Sequence, residues 1–349
     1  MKIPIIYDEK DPKWILLLNI FKIIDSRKIH QEFTRNGIKP VKKGVVNFKI
    51  VLMSMFFASD ISYVVSELKR SHELRKSLGF NQVPKSNQIY EFLARFNQKQ
   101  ILEFVIKTLN KEFKPIKRGK RTVLIDGTDI QVDMNWNKQN YTKKFLEKKG
   151  LYWAKSASKG FYIGFKLTLA LDYHTGQPLT MLIHKGSKHD SELFPEIMEK
   201  LRKRRIIRNK DIIIADKGYI SFNNYREGIL KYKIVPLIFP KENMKINKIL
   251  SQFNYPLEYF KVKNKKEDIY KELVSKFKKL ITKWKKFKKI RGKIEDFFKL
   301  TKKGLKNNKF HKYTKESIAK TSYLLVLLTG LIIKQGYNES ESMQKLSET

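Results

Sequence analysis

Hydrophobic positions along the chain follow two regimes. Up to about residue 112 they recur at helical spacing. Trp14, Leu17, Leu18, Phe21 and Ile24 fall on one stripe, as do Val51, Leu52, Met55 and Phe56, and Val64, Val65 and Leu68 form another face. Pro84-Lys-Ser86-Asn reads as a turn and cap ahead of a helix bearing Ile89, Phe92, Leu93 and Phe96. From residue 122 the pattern changes to short apolar runs of the kind that form buried strands: Thr122–Asp126, Phe161–Asp172, Leu179–His184, Ile212–Asp216 and Ile234–Phe239. His174-Thr-Gly176-Gln-Pro178 has turn chemistry and joins the second and third runs into a hairpin, with Gly164 read as a bulge. Helices are predicted within Ser187–Arg202, beginning near Asp190, and over Phe222–Leu230, and Pro240 stops the fifth strand.

The resulting order is strand–strand–strand–helix–strand–helix–strand. Helical spacing then returns from about Glu267 to Leu305 and again over Lys315–Lys334, which carries Leu324, Leu327, Leu328 and Leu331. The most apolar run, Tyr323–Ile333, is shorter than the roughly 20 residues a bilayer requires and reads as a buried helix. Lys114–Arg121 is a basic linker, Met134–Lys159 is irregular, and no internal repeat is visible. These boundaries predict a helical region over 1–118, a mixed α/β domain over 119–312 with a small insertion at about 240–265, and a C-terminal helix and tail over 313–349.

Composition adds a partner class. With 74 Lys and Arg against 34 Asp and Glu the net charge is +40, a field that attracts polyanions, nucleic acid first. The basic residues are spread along the chain, which disfavours a membrane surface, and they alternate with aromatics suited to stacked bases. The absence of cysteine excludes disulfides, thiolate chemistry and cysteine-ligated zinc, and it fits an intracellular, cytoplasmic setting. No secretory signal is visible at the N-terminus.

Two strands carry an acid at the carboxyl end followed by glycine: Leu124-Ile-Asp126-Gly-Thr and Ile214-Ala-Asp216-Lys-Gly-Tyr219. That strand end is where α/β sheets place ligands and chemistry. A third acid lies in Arg291-Gly-Lys-Ile-Glu295-Asp-Phe-Phe-Lys-Leu-Thr-Lys302, where Arg291 and Glu295 share a helix face. An ordinary intrahelical ion pair is the bland alternative for those two.

These three pieces, in this order and strand context, resemble the motifs of DDE transposases of prokaryotic insertion sequences, whose catalytic domain has the RNase-H-like fold. The family usually has a Tyr three positions before the Arg; here that position is Lys288, beside Phe287. The resemblance implies that Asp126, Asp216 and Glu295 are catalytic and bind Mg²⁺ (or Mn²⁺), two ions in all. It further implies that Arg291, Lys302, Lys217 and Tyr219 contact DNA. Lys166 reads either as a DNA contact or as an exposed strand residue. The implied reaction is metal-dependent phosphodiester cleavage at transposon ends followed by strand transfer into target DNA. The implied partners are double-stranded DNA, inverted-repeat ends and target alike, and a second copy of the chain on paired ends. Another RNase-H-like nuclease (resolvase or ribonuclease) and a non-catalytic DNA-binding descendant are the alternatives.

The chemistry accounts for the residue types. Two divalent ions can activate the attacking oxygen and stabilise the leaving one, and Mg²⁺ takes hard oxygen ligands. Three carboxylates crowded without cations raise one another's pKa, so weak metal binding is expected before DNA arrives. Among the remaining candidates, Asp129 reads as a turn acid or substitute ligand. His189-Asp190 resembles a recurrent pair of the same family, with Asp190 alternatively capping a helix. Trp153 and Trp284 are expected in the core.

Overall fold

The computed structural model describes residues 5, 7–39, 41–113, 121–133, 142–148, 150–156, 160–186, 188–260, 266–307, 309–310 and 314–337. The basic linker, apart from Arg121, and the whole stretch from Met134 to Tyr141 with its Trp136 lie outside the described residues.

Among the described residues seven helices come first: α1 (Pro12–Ile24), α2 (Arg27–Arg35), α3 (Val41–Phe56), α4 (Ile61–Arg70), α5 (His72–Ser77), α6 (Ser86–Ala94) and α7 (Gln98–Glu112). The strand β1 (Thr122–Val132), helix α8 (Lys143–Lys148) and strands β2 (Trp153–Ser156), β3 (Gly160–Asp172) and β4 (Pro178–Lys185) follow. Then come α9 (Asp190–Lys203), β5 (Ile212–Ala215), α10 (Phe222–Leu230), β6 (Val235–Ile238), α11 (Ile246–Leu250), α12 (Glu267–Ile281), α13 (Lys288–Lys299), β7 (Lys309–Phe310) and α14 (Lys315–Lys334). This is the expected mixed α/β arrangement, with a helical N-terminal region and a helical C-terminus.

The chain divides into two compact units: residues 1–114, 131–151 and 296–349 in one, and 115–130 and 152–295 in the other. The three-part division expected from the sequence cuts the chain differently. Its reason lies in α14, which is apolar on nearly every side and therefore needs cover all round. Ala319, Leu324, Val326, Leu327, Leu328 and Leu331 are all buried, and the helix packs on α7, α3 and α1 of the same unit. Its length and apolarity would suffice to cross a bilayer, yet most of its apolar surface is spent inside the unit. The helical unit also holds Glu32, wholly buried, with Lys111 at 2.8 Å and Arg35 at 2.6 Å.

In the second unit the sheet runs β2–β3–β1–β5–β6, and β4 pairs with β3. β3 and β4 are antiparallel, whereas β1, β5 and β6 are parallel, so each crossover between the last three carries a helix. The register shift in the hairpin falls at Ala170–Leu171 rather than at Gly164. Gly164 serves a close approach instead, since a Cβ there would lie 2.0 Å from the backbone oxygen of Ile130. At the opposite end of the strands from the acids, the buried Asp211 carboxylate accepts the backbone N–H groups of Arg208 and Arg121 and ties β1 to β5. α12 packs on β6 and α10 through the buried Phe277, and Trp284 stacks near Phe239 with ring centroids 5.6 Å apart. That anchor sets where α13 begins.

Candidate active site

Parallel pairing of β1 with β5 aligns Ile125 with Ala215, the last matched positions, so Asp126 and Asp216 follow side by side. Only Asp216 ends its strand. β1 continues six residues past Asp126, burying Ile130 and Val132, so Asp126 is a mid-strand acid and the polar Asp-Gly-Thr-Asp run is no turn. Asp216 instead begins a 3₁₀ turn over Lys217–Tyr219.

The third acid arrives on α13. Arg291 and Glu295 are one turn apart and joined by a charge-assisted hydrogen bond. Arg291 reaches further: its guanidinium donates to Asp126 Oδ2 at 2.8 Å and lies 4.0 Å from Asp216 Oδ1. Acids from two strands and a helix thus meet on one guanidinium. Arg291, expected on DNA phosphate, is in this state the counter-ion of all three, and it is far more than an intrahelical partner of Glu295.

Burial, chiefly, raises Asp126 to about 6, and the neighbouring Asp216 and Glu295 add to the rise. Arg291 and the Gly127 N–H, which donates to Asp126 Oδ1 at 2.8 Å, oppose it without cancelling it. Two carboxylates are more open: the Asp216 side chain is 35% exposed and that of Glu295 43%, against 16% for Asp126. Among the described residues no three His, Cys, Asp or Glu already form a closed metal-binding group. The donor set nonetheless fits hard divalent ions: carboxylate oxygens alone, two of them open to solvent and the third buried beside them.

The expected DNA contacts separate. Lys217 is exposed. Tyr219 is fully buried, and burial, with Asp190 and Asp126 nearby, holds its hydroxyl protonated, so it is a core residue rather than a surface contact. Lys166 is neither a simple exposed strand residue nor turned to solvent; its ammonium pairs with Asp190 at 2.6 Å. Lys302 lies in the other unit, in a π-helical turn over Leu300–Gly304, so the seven-residue spacing from Glu295 is not two regular turns.

Asp129 accepts the Tyr162 hydroxyl at 3.0 Å, within the strand. His189 occupies the N-cap position of α9 without a side-chain cap bond, and Asp190, the first helical residue, spends its carboxylate on Lys166 rather than on capping. Trp284 is buried as expected, whereas Trp153 is 41% exposed. The Lys166–Asp190 pair is the element that sequence reasoning left unassembled. Its signal was a lysine set between the apolar Phe165 and Leu167 of an otherwise buried strand.

Residues 117–331, more than half of the chain, match the family model described as transposase DDE domain. No curated protein matches the sequence. Among solved structures the chain is similar to a piggyBac transposase in a synaptic complex with hairpin DNA, at 10% identity over 98% of this chain and 80% of that one, with a TM-score of 0.47. It is also similar to the Mos1 transposase in a paired-end complex with the left transposon end, at 12% identity over 79% and 97%, with a TM-score of 0.21. At these scores neither likeness assigns a role to any residue.

Proposed function

We propose that this chain, which belongs to the transposase DDE-domain family and is a DNA transposase, carries out its chemistry with Asp126, Asp216 and Glu295. The observation that supports this is the convergence of three acids, from two adjacent strands and a distant helix, on the Arg291 guanidinium. Family membership implies polynucleotidyl transfer with divalent ions. The three carboxylates would hold Mg²⁺ or Mn²⁺, and the ions, when bound, would activate the attacking oxygen and stabilise the leaving one at phosphorus.

The chain's own residues do the rest. Asp126, on the central strand, would ligate as the carboxylate, and Glu295, on a helix and the most open of the three, would complete the set. Arg291, released from the acids, turns its planar fork to a phosphate beside the scissile one, a geometry it matches bidentately. Lys217, exposed beside Asp216, adds a second phosphate contact. The reaction in this reading is hydrolysis at each transposon end, then attack of the freed 3′-hydroxyl on target DNA, with two copies of the chain on paired ends.

Asp126→Asn, Asp216→Asn and Glu295→Gln each test the assignment. Incubated with labelled DNA ends, target DNA and Mn²⁺, each variant is expected to bind ends yet to yield neither nicked nor joined product. Cleavage at the parent rate by any one of them removes that residue from the site. Nicking without joining by the parent would leave a nuclease in place of a transposase.

A further inference from the structure

Lys166 on β3 and Asp190 at the start of α9 stand beside the acids without belonging to them. Their ion pair, 2.6 Å long, is only about one-fifth exposed at either end, at 20% and 21%, so it is screened less than a surface pair. Each half of the pair passes over a glycine of an acid motif. A Cβ on Gly127, which follows Asp126, would sit 2.6 Å from Lys166 Cε. A Cβ on Gly218, two positions after Asp216, would sit 2.8 Å from Asp190 Oδ2. Neither glycine is among those with a left-handed backbone. What each contributes is therefore vacant space and not conformational freedom.

We infer that Lys166 and Asp190 form a bracket across the two acid-bearing segments, holding the backbones of Asp126-Gly127 and Asp216-Lys217-Gly218 at the spacing that divalent ions require. The inference rests on the reading of the three acids as metal ligands. The bracket has something to resist, because adjacent carboxylates repel, and it adds to the Asn224 side chain, which holds the far end of the 3₁₀ turn after Asp216 through the Tyr219 carbonyl at 2.8 Å. It closes over the pair from both sides: the lysine stem presses on the strand after one acid, and the Asp190 carboxylate presses on the turn after the other. Tyr219, the last residue of that turn, is fully buried. Lys166 and Asp190 are thus positioning residues, and both glycines leave the room that their side chains occupy.

The test uses the full chain with Asp190→Asn, Lys166→Met and the double variant, and reads the Mn²⁺ dissociation constant by calorimetry beside a circular-dichroism melt. Lys166→Met keeps the stem over Gly127, so it serves if Asp190→Asn fails to fold. Folded single variants are expected to bind Mn²⁺ about 10–100-fold more weakly, the usual effect of losing outer support for a metal site. The double variant should be no worse than the weaker single. Gly218→Ala should show a similar loss, diminished when Asp190→Ala removes the side chain it would strike. Unchanged Mn²⁺ affinity in folded Asp190→Asn and Lys166→Met overturns the bracket, whatever happens to the melt. Asp216→Asn in the same titration separates the two levels. If it too binds as the parent does, the metal reading itself has failed; if it alone loses binding, only the bracket has.

Discussion

Replacing Arg291 with glutamine removes a positive charge that touches all three acids, and the structure gives the consequence a sign and a size. For the metal-free fold the change is unfavourable. The Asp216 and Glu295 contacts lie on side chains 35% and 43% exposed, and solvent screens each to about 0.5 kcal/mol. The Asp126 contact is the less exposed one, 2.8 Å long, and a charge-assisted bond of that kind is worth about 1.5–3 kcal/mol. The variant should therefore lose about 3 kcal/mol without metal. For metal binding the change is favourable. A divalent ion among the acids meets the guanidinium at close range, and two charges against one at about 4 Å repel by about 2 kcal/mol even at the dielectric of water. Partial withdrawal of Arg291 into solvent halves that figure to about 1 kcal/mol, leaving about fivefold in affinity. The assay is Mn²⁺ titration by calorimetry without DNA at pH 8.5, well above the value of about 6 to which Asp126 is raised in the parent, paired with melts in chelator and in Mn²⁺. The expected result is a lower melting temperature in chelator, recovery with Mn²⁺, and tighter Mn²⁺ binding than in the parent. Equal or weaker binding by a folded Arg291→Gln refutes the argument that the guanidinium stands in for the ions.

Other consequences are as direct. Asp126 has a folded pKa of about 6 against an ordinary 3.8, so the native state holds the extra proton between those values. Stability from this group is then full below about pH 4 and falls by about 3 kcal/mol as pH rises through 6. Asp126→Asn should flatten that part of the metal-free melting profile, and Mn²⁺ affinity of the parent should drop about tenfold per unit below pH 6; a parent profile flat between pH 4 and 6.5 contradicts both. Lys111→Met leaves the buried Glu32 short of a partner and should cost about 3 kcal/mol, with Glu32→Gln in the same chain recovering much of it in denaturant titrations. Gly164→Ala drives a Cβ into the backbone oxygen of Ile130 and should abolish the folded, soluble protein or lower its stability by about 4 kcal/mol or more; a parent-like melt would show that β3 can give way.

Most of the sheet was legible in the sequence because buried parallel strands leave unbroken apolar runs, as at Ile212–Ala215 and Val235–Ile238. Helix α9 began where Asp190-Ser-Glu192 indicated, and α14 where its leucines did. What could not be read was whatever depends on partners distant in the chain. The Arg291–Asp126 bond joins residues 165 positions apart, and nothing local to either distinguishes a phosphate contact from a carboxylate one. Asp126-Gly-Thr-Asp129 has the composition of a turn, yet Tyr162 satisfies Asp129 across the sheet and the strand runs on. Tyr219 was expected on DNA from the resemblance and Lys166 either there or exposed on its strand, but burial is a property of the assembled sheet and helix, not of the motif. Trp153 misled in the other direction: its size suggested core, and its place on β2 at the end of the strand order leaves it 41% exposed.

Iron-directed cleavage of the chain itself tests the central claim most directly. Fe²⁺ substituted for Mg²⁺ in the complex with DNA ends, with ascorbate and peroxide, cuts backbone close to the metal. The account predicts fragments ending near Asp126, Asp216 and Glu295 together, all suppressed by excess Mg²⁺. Cuts confined to one or two of these segments, or Mg²⁺-sensitive cuts elsewhere in the chain, would contradict it.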